Sequence, residues 1–266
     1  MPFETKYGPW ALITGAGNGL GAEFALQISA RGLNVVIVDI DAEGLARTEN
    51  EIRMHSGRDV RAVAVDLTQA NFLTTITAAT HDIEIGLLIN NAGISGLGLF
   101  LDRPLQEHLS VIDLNIRAPL ILSHHFATQF AIRKRGGIIF ISSLSALQGT
   151  AYVANYAATK AWNLLIAEGL WQELHSQGID VLGYLVGSTR TPGFVNSKPK
   201  LERASVVPVM EMPQTVTEAL DALGQGPSAI AGRMNRLITP ILQRFLPRKW
   251  AVKMVSGTMQ MLYGEK

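Results

Sequence analysis

The stretch Thr14-Gly15-Ala16-Gly17-Asn18-Gly19-Leu20-Gly21 decides the fold. It follows an apolar run at residues 10–14 and precedes a segment of helical character, so it lies between a strand and a helix. Glycine at such a junction lets the backbone approach a pyrophosphate, and the helix amino end offers free N–H groups and positive partial charge. The alternative is that the glycines only turn the chain. The residues predicted to contact a dinucleotide here are Gly15, Asn18, Gly19, Leu20 and Gly21, with Asn18 and the Thr14 hydroxyl expected mainly to support the loop.

Short runs of Val, Ile and Leu recur along the chain and alternate with helical segments. Continuous apolar runs are typical of strands covered on both faces, and therefore of a parallel sheet with helices above and below. The 266 residues suffice for one such domain with a sizeable core. We therefore predict an α/β fold: a single doubly wound Rossmann-type domain of about seven parallel strands over residues 1–266. The predicted strands are 10–14, 34–38, 60–65, 86–90, 138–141, 180–186 and 228–231.

The helices between these strands are expected to begin near Gly19, Ala42, Gln69, Pro104, Asn155 and Pro213. Pro119 falls inside the fourth of them and lacks a backbone donor, which predicts a kink or a change of path there. The helix after Asn155 is apolar on nearly every side, so we expect it to be buried on more than one face.

Tyr156 and Lys160 lie four residues apart, with Ser143 thirteen residues before the tyrosine. Positions four apart share one face of a helix. A cation near a phenol favours the phenolate and brings its pKa down toward neutral pH, where it can act as a general acid or base. A serine hydroxyl at a strand end can hold a substrate oxygen beside it. Tyrosine and lysine at this spacing are also common on ordinary amphipathic helices, and it is the glycine cluster and the serine that favour chemistry.

Together these residues resemble the short-chain dehydrogenase/reductase family over roughly residues 10–192. The resemblance includes the spacing of Gly15, Gly19 and Gly21, and then Asp66, Asn90-Asn91-Ala92-Gly93, Asn115, Ser143, Tyr156 and Lys160 in the family's order. One departure occurs at Val186-Gly187, where the family usually has Pro-Gly. Two short segments, 7–11 and 31–36, look like the branch that contains 17β-hydroxysteroid dehydrogenases and long-chain 3-ketoacyl reductases.

The resemblance implies a role for each matching position. Ser143, Tyr156, Lys160 and Asn115 would form the catalytic group, with Asn115 holding a water next to Lys160. A buried asparagine that only bridges backbone groups is the alternative for Asn115. Asp66 would face the adenine, or else form a turn before Thr68. The implied cofactor contacts on the chain are Asp66, Leu67, Asn91, Ala92, Gly93, Tyr156, Lys160, Gly187, Thr189 and Thr191.

Asp39 ends the second predicted strand, at the distance from the glycine loop where a carboxylate accepts hydrogen bonds from the adenosine ribose. A carboxylate there repels the 2′-phosphate of NADP, so NAD is the predicted cofactor. NADP remains an alternative because the hydroxysteroid branch often lacks this aspartate. A second alternative is that Asp39 or Asp41 caps the next helix.

The substrate is expected to be a bulky hydrophobic alcohol or ketone. The segments 94–100, 144–153 and 191–212 lie outside the shared motifs and are mainly apolar, and Ser143, Leu144 and Phe194 are the predicted substrate contacts. The last segment contains several prolines and few regular signals, as is typical of a lid over an active site.

Composition excludes several other classes of site. The chain has no cysteine, which excludes disulfides and thiolate metal sites, and its six histidines lack ligand spacing, so we expect no metal. No apolar run approaches the roughly 20 residues of a spanning helix, and no signal peptide is evident, which predicts a cytoplasmic protein. A basic region confined to one tail is weak support for nucleic-acid binding, so none is predicted.

That basic region is a helical C-terminal extension at residues 233–263. Between residues 222 and 264 the sequence has six bases and no acid, and the net charge of the whole chain is only +1. The pattern mixes apolar and basic residues as helices at membrane interfaces do, which indicates peripheral contact with a membrane or with an anionic acyl carrier. The favoured alternative is that the apolar side covers the substrate pocket or a neighbouring subunit while the bases face solvent.

These observations predict an oxidoreductase that transfers a hydride between NAD(H) and a hydrophobic secondary alcohol or ketone, such as a steroid or a long-chain hydroxyacyl compound. Two rival hypotheses are a non-catalytic NAD-binding regulator and an NAD-dependent epimerase or dehydratase. In the resembling family, long helices pair across subunits, which implies a homodimer or homotetramer.

Overall fold

A seven-stranded parallel sheet forms the centre of the molecule, in a computed structural model that describes residues 2–200 and 208–264. Its strand order is β3-β2-β1-β4-β5-β6-β7. The predicted fold class and strand number are confirmed, and each predicted strand is present with its ends shifted by at most two residues. The strands are β1 Trp10–Thr14, β2 Asn34–Asp39, β3 Val60–Ala64, β4 Ile85–Asn90, β5 Gly136–Ser143, β6 Ile179–Val186 and β7 Ser228–Ile230.

Helices cover both faces of this sheet. In the described part of the chain they are α1 Phe3–Tyr7, α2 Gly19–Ala30, α3 Ala42–Ser56, α4 Phe72–Thr80, α5 Leu105–Ile112, α6 Ala118–Arg133, α7 Ala154–Leu174, α8 Pro192–Asn196, α9 Met212–Ala222, α10 Arg233–Phe245 and α11 Arg248–Tyr263. None of these described helices is long and apolar enough to span a lipid bilayer.

Two hydrophobic clusters fill the space between the sheet and its helices. One contains Phe24 from α2 and Leu45 from α3, and the other contains Ile76 from α4 and Phe126 from α6. Strand residues alternate between the two clusters, as Ile13 and Leu12 of β1 do. Both faces of the sheet are therefore buried, which explains why the strands read as continuous apolar runs.

The strand order reverses between β1 and β4, since β1 leads outward to β2 while β4 leads to β5. In an open parallel sheet, ligands bind outside the carboxyl ends of the strands at such a reversal. The glycine loop follows β1, and Asn91 to Gly93 follow β4, so the fold brings both segments to this one place.

The predicted change of path near Pro119 occurs as a π-helical segment, Asp113–Arg117, between α5 and α6. Pro119 is in the first turn of α6, where its missing N–H is least costly. In a continuous α-helix that N–H would bond to the Asn115 carbonyl, so its absence relaxes the helix at Asn115. Because the π segment contains Asn115, this irregularity bears directly on the site.

Candidate active site

The glycine loop between β1 and α2 is shaped by contacts that leave no room for side chains. A Cβ atom on Gly21 would lie 1.9 Å from the Gly15 carbonyl oxygen, and one on Gly15 would lie 2.9 Å from the Ala92 Cα. Gly15 also has a φ of 68°, which disfavours other residues. The loop therefore packs directly against the helix that follows it and the segment after β4.

Asn91 and Thr14 hold this loop in place. The Asn91 side-chain amide donates to the carbonyls of Thr14 at 2.9 Å and Gly15 at 3.2 Å. The Thr14 hydroxyl accepts from the backbone N–H groups of Asn91 and Ala92, both at 3.1 Å. The prediction that Thr14 supports the loop agrees with this geometry, and Asn91 acts in the same way through its side chain.

The amino end of α2 is open toward the crevice. Asn18 occupies the N-cap position, is exposed, and makes no side-chain capping hydrogen bond. The first N–H groups of a helix have no partner within the helix, so they are free to bind an anion. Gly19 has a φ of 61°, and a Cβ there would stand 3.8 Å from the Thr191 Cβ and 3.6 Å from the Pro192 Cδ. The crevice between α2 and Thr191 thus fits the pyrophosphate of a dinucleotide.

Asp39 faces the glycine loop from the end of β2. Its carboxylate accepts hydrogen bonds from the backbone N–H groups of Gly17 at 2.8 Å and Asp41 at 3.0 Å. Asp41, rather than Asp39, caps α3 by accepting from the Gly44 N–H at 3.0 Å. An exposed cation that was not predicted from the sequence, Arg47, lies 3.5 Å from the Asp41 carboxylate.

Asp66 and Leu67, which follow β3, differ in what they offer a ligand. The Asp66 carboxylate accepts from the Thr68 backbone N–H at 2.9 Å and from the Thr68 hydroxyl at 2.7 Å, and these bonds lower the pKa of Asp66. Asp66 therefore forms a turn with Thr68, and its contact with an adenine stays a prediction. Leu67 is buried in the core, so only its backbone can meet a cofactor, and the Leu20 side chain likewise packs against the core.

Ser143, Tyr156 and Lys160 come together as the sequence predicted. Ser143 ends β5, and its hydroxyl accepts from the Ser145 N–H at 3.2 Å. Tyr156 and Lys160 lie on one face of α7, with the Lys160 Nζ 5.6 Å from the centre of the tyrosine ring. The Lys160 ammonium is buried and donates to the Ile141 carbonyl at 2.7 Å.

In the site without cofactor the pKa of Tyr156 is raised, so its lowering by Lys160 stays a prediction for the cofactor-bound site. Burial raises the pKa of Tyr156, and hydrogen bonding with Ser143 only partly opposes that rise. The Lys160 ammonium lies against the ring and binds a backbone carbonyl, so it does not offset the burial of the phenol. Burial also lowers the pKa of Lys160 to about 8. Tyr156 is therefore a protonated phenol at neutral pH, suited to donate a proton.

Asn115 is fully buried and ties three elements together. Its amide donates to the Ile94 carbonyl and to the Thr159 hydroxyl, and its oxygen accepts from the Ile94 N–H, all at 3.0 Å. The Thr159 hydroxyl in turn donates to the Tyr156 carbonyl at 2.8 Å. Asn115 thus bridges backbone groups and positions α7, and its holding of a water next to Lys160 stays a prediction.

Replacing Asn115 with alanine is expected to lower the free energy of unfolding by about 2–3 kcal/mol, because the Ile94 N–H and carbonyl would lose their buried partner. Urea unfolding measures this change. Asn71→Ala is the control, since the Asn71 side chain makes no capping bond at α4. Equal stability of the two variants would contradict the bridging role.

A cavity of about 1270 Å³ opens directly above Tyr156. It exceeds the roughly 300–1000 Å³ of typical small-molecule sites. Ser143, Leu144 and Phe194 line it as predicted, as do Gly93, Gly187 and Thr191 on the side nearest the glycine loop. Thr189 is instead buried beneath the surface, with its hydroxyl 3.3 Å from the Gly187 carbonyl. The proposed cofactor crevice and the cavity therefore share Thr191 at their border.

Part of the wall was not predicted from the sequence. The polar residues Arg103, Glu107 and Gln148 contribute, and so do residues of α10 and α11, among them Asn235, Thr239, Gln243, Met254, Val255, Met259 and Leu262. In α11 the apolar side faces the cavity, as expected for the tail. In α10 the cavity side carries Leu242 and Leu246 together with polar residues, and most of its apolar residues are exposed, so contact of that apolar side with a neighbouring subunit stays a prediction.

The predicted lid, residues 191–212, is described only in part, since residues 201–207 lie outside the described ranges. Its start forms α8, capped by the Thr191 hydroxyl, which accepts from the Phe194 N–H at 3.1 Å. Its end is fixed by Met210, whose backbone bonds to Ser188 and Arg190, each at 2.9 Å. Lid closure stays a prediction.

The family model described as "short chain dehydrogenase" matches residues 9–202. The chain belongs to the short-chain dehydrogenase family. It is accordingly an oxidoreductase that acts on CH–OH groups, and the family binds a nicotinamide cofactor. The match covers the glycine loop after β1, the segment after β4, and the cluster of Ser143, Tyr156 and Lys160.

Relatives of this short-chain dehydrogenase are named for two kinds of substrate. A 7beta-hydroxysteroid dehydrogenase from Collinsella aerofaciens is 32% identical over 89% of this chain and 90% of its own length. A very-long-chain 3-oxoacyl-CoA reductase from Podospora anserina is 33% identical over 68% of this chain but only 56% of its own. The predicted resemblance to a hydroxysteroid and ketoacyl branch is confirmed.

Solved structures of short-chain dehydrogenases also share the fold of this chain. The structure of a 7beta-hydroxysteroid dehydrogenase covers 97% of this chain and 100% of its own, with a TM-score of 0.90 at 30% identity. A short-chain dehydrogenase from Sphingobium yanoikuyae in complex with NADPH matches with a TM-score of 0.77 at 31% identity, over 89% of this chain and 93% of its own. The fold thus extends to the C-terminal helices in at least one relative.

Proposed function

We propose that this protein transfers a hydride between NAD(H) and a hydrophobic secondary alcohol or ketone of steroid or long-chain hydroxyacyl type. The observation that carries the proposal is the Tyr156 phenol at the floor of a large cavity, next to a glycine-lined crevice. A proton donor, a hydroxyl that holds the substrate oxygen and a dinucleotide cradle then meet at one point. All of these parts belong to one sheet and its helices, so we propose that a single domain carries out the reaction.

Each catalytic side chain has a separate task in the reaction. Tyr156 donates its proton to the ketone oxygen during reduction and accepts it back during oxidation. Ser143 hydrogen-bonds the same oxygen and keeps the reacting carbon in place. Lys160 would bind the cofactor ribose, and its ammonium lies against the ring of Tyr156. The nicotinamide, when bound, supplies the hydride chemistry.

The cofactor would lie along the carboxyl ends of β1 and β4. The open amino end of α2 would bind the pyrophosphate, with Gly15, Asn18, Gly19, Leu20 and Gly21 around it. Asp39 would accept hydrogen bonds from the ribose hydroxyls. Its carboxylate already accepts one from the Gly17 N–H of the loop and has further lone pairs free for others. Asp66 and Leu67 would border the adenine, and Asn91, Ala92, Gly93, Gly187, Thr189 and Thr191 the nicotinamide side.

Asp39→Asn is expected to shift the preference between NAD and NADP toward NADP by at least about tenfold, since it removes the charge that repels a 2′-phosphate. The amide still offers one acceptor to the loop. The measurement is the ratio of kcat/KM values for the two cofactors. Arg47, an exposed arginine 3.5 Å from the Asp41 carboxylate, is the cation that we propose would contact the phosphate. An unchanged ratio would show that Asp39 only braces the loop.

A hydrophobic substrate fits the cavity above Tyr156. Leu144, Leu147 and Phe194 form one side of it, and the apolar residues of α11 form the other. The names of the relatives narrow the class to steroids and long-chain acyl compounds. A spectrophotometric screen with steroid, aliphatic and hydroxyacyl alcohols, run with NAD and NADP in parallel, identifies the substrate. Activity confined to small polar alcohols would overturn the proposed class.

The two rival functions make different predictions in the same screen. A non-catalytic regulator would bind NAD without reducing it, and an epimerase or dehydratase would leave no net NADH. The cluster of Ser143, Tyr156 and Lys160 beside an open cavity favours net hydride transfer. Accumulation of reduced cofactor in proportion to oxidised alcohol distinguishes the dehydrogenase from both rivals.

We also propose a homodimer or homotetramer. Several large apolar side chains on the long helices are exposed, including Leu105 of α5, Leu120 of α6 and Leu165 of α7 at 71%, 47% and 65%. α7 was expected to be buried on more than one face, and Leu165 would lie on the face left for a second subunit. Sedimentation equilibrium of the full chain gives the subunit number, and a monomer would contradict the proposal.

A further inference from the structure

Helix α10 presents its apolar side outward. Asn235, Thr239 and Gln243 line the cavity with Leu242 and Leu246 beside them, while the opposite side carries a stripe of exposed apolar residues at helical spacing. We call this stripe the outer face of α10. It consists of Met234, Leu237, Ile238, Ile241 and Phe245, which are 56%, 57%, 45%, 60% and 75% exposed. An amphipathic helix that turns its polar side to a cavity leaves its apolar side for something outside the chain.

The surroundings of the outer face are positively charged. Arg233 and Arg244 border one edge of it, because residues eleven apart return to nearly the same direction on a helix. Lys249 and Lys253 follow on α11, and Lys253 lies 5.5 Å above the exposed ring of Trp250. Within residues 2–200 and 208–264, none of these four cations has a carboxylate within 4.0 Å, whereas Arg236 on the other side of α10 pairs with Glu218.

This charge pattern distinguishes between two occupants. A second copy packed face to face would bring these cations against the same cations, since a twofold contact repeats each surface patch. In the described residues no carboxylate lies within 4.0 Å of these four cations to offset that repulsion, and the chain carries no acid between residues 222 and 264. An anionic lipid surface instead offers negative headgroups to the bases and an apolar layer to the stripe. Tryptophan beside a basic helix is typical of the boundary between the two.

We propose that the outer face of α10, with Trp250 and the adjoining bases, docks on an anionic lipid surface. The helix would lie in the plane of the interface, with its apolar stripe inserted and Arg233, Arg244, Lys249 and Lys253 among the headgroups. The cavity is on the opposite side of the same helix, so docking places its wall next to the lipid, where apolar molecules are concentrated. This proposal stands apart from the catalytic one, since it depends only on the outer surface.

Sedimentation with vesicles tests the proposal on the full chain. Vesicles of phosphatidylcholine with about 30% phosphatidylserine are compared with pure phosphatidylcholine, at about 0.05 M and about 0.5 M salt. The wild type is expected to bind the anionic vesicles at low salt, at least about tenfold more strongly than in either other condition. Ile241→Glu, which puts a carboxylate in the middle of the outer face, is expected to weaken binding by at least about tenfold.

Ile132→Glu is the matched control, because it makes the same change at an exposed isoleucine on α6. It is expected to bind vesicles as the wild type does, and both variants should keep wild-type hydride transfer without vesicles. The proposal is overturned if the wild type ignores anionic vesicles or if Ile241→Glu binds them normally. It is also overturned if Ile241→Glu dissociates an oligomer in vesicle-free solution, which would show that a second copy covers this face.

Discussion

Replacing Tyr156 with phenylalanine is expected to lower kcat by at least about 100-fold, the lower end of what general acid catalysis contributes. The phenol is the only hydroxyl on α7 that reaches the floor of the cavity beside Ser143 in the described chain. Phenylalanine keeps the ring and its contact with Lys160, so dinucleotide binding should be nearly unchanged. Steady-state kinetics and cofactor fluorescence titration measure the two effects separately.

Tyr152→Phe is the control for that experiment. Tyr152 lies four residues before Tyr156 and loses the same hydroxyl in this variant, but it does not line the cavity. We expect its turnover to stay near that of the wild type. If the two variants lose activity to the same extent, the effect comes from local packing and Tyr156 is not the proton donor.

Lys160→Met is expected to remove activity and to stabilise the protein at neutral pH. The loss of kcat/KM should be at least about 100-fold, because the charge that binds the ribose and supports Tyr156 is gone. Burial lowers the pKa of Lys160 from 10.5 to about 8, so the buried ammonium is a cost at pH 7. That cost amounts to about 3 kcal/mol, partly offset by the bond to Ile141, which leaves a net gain of about 1–2 kcal/mol for methionine.

The stability difference between Lys160→Met and the wild type is expected to depend on pH. Between pH 8 and 10.5 the unfolded chain binds more protons at Lys160 than the folded chain does, so wild-type stability from this group rises with pH. The advantage of Lys160→Met is therefore full below about pH 8 and disappears near pH 10.5. Urea unfolding of both proteins at pH 7 and at pH 10 measures the difference. A variant less stable than the wild type at pH 7 would contradict the account of a costly buried charge.

The sequence predicted the sheet well because each strand is covered on both faces. A doubly covered strand is a continuous apolar run, as 85–90 and 179–186 are, and glycine or polar residues mark where it ends. The glycine loop and the Tyr156 and Lys160 pair were also found from sequence, since their spacing alone restricts where they lie on a helix or a turn. Those features depend on neighbours along the chain.

The features that the sequence left open depend on distant partners. Which side of α10 faces the cavity depends on how the helix packs over it. The amphipathic pattern of the sequence alone does not determine this. In the site without cofactor, the pKa of Tyr156 depends on how deeply α7 is buried, which overrides the charge four residues away. Asn115 bonds to Ile94 and Thr159, 21 and 44 residues away, so its bridging role was visible only as one of two alternatives.

Transfer of deuterium is the most direct test of the central claim that the nicotinamide exchanges a hydride with a substrate held at Tyr156. The reduced cofactor, deuterated at both C4 positions, is incubated with the most active ketone from the substrate screen. We predict that the wild type forms an alcohol with one deuterium on the carbinol carbon. Tyr156→Phe is expected to form this product far more slowly. An alcohol formed by the wild type without deuterium at that carbon would contradict the account.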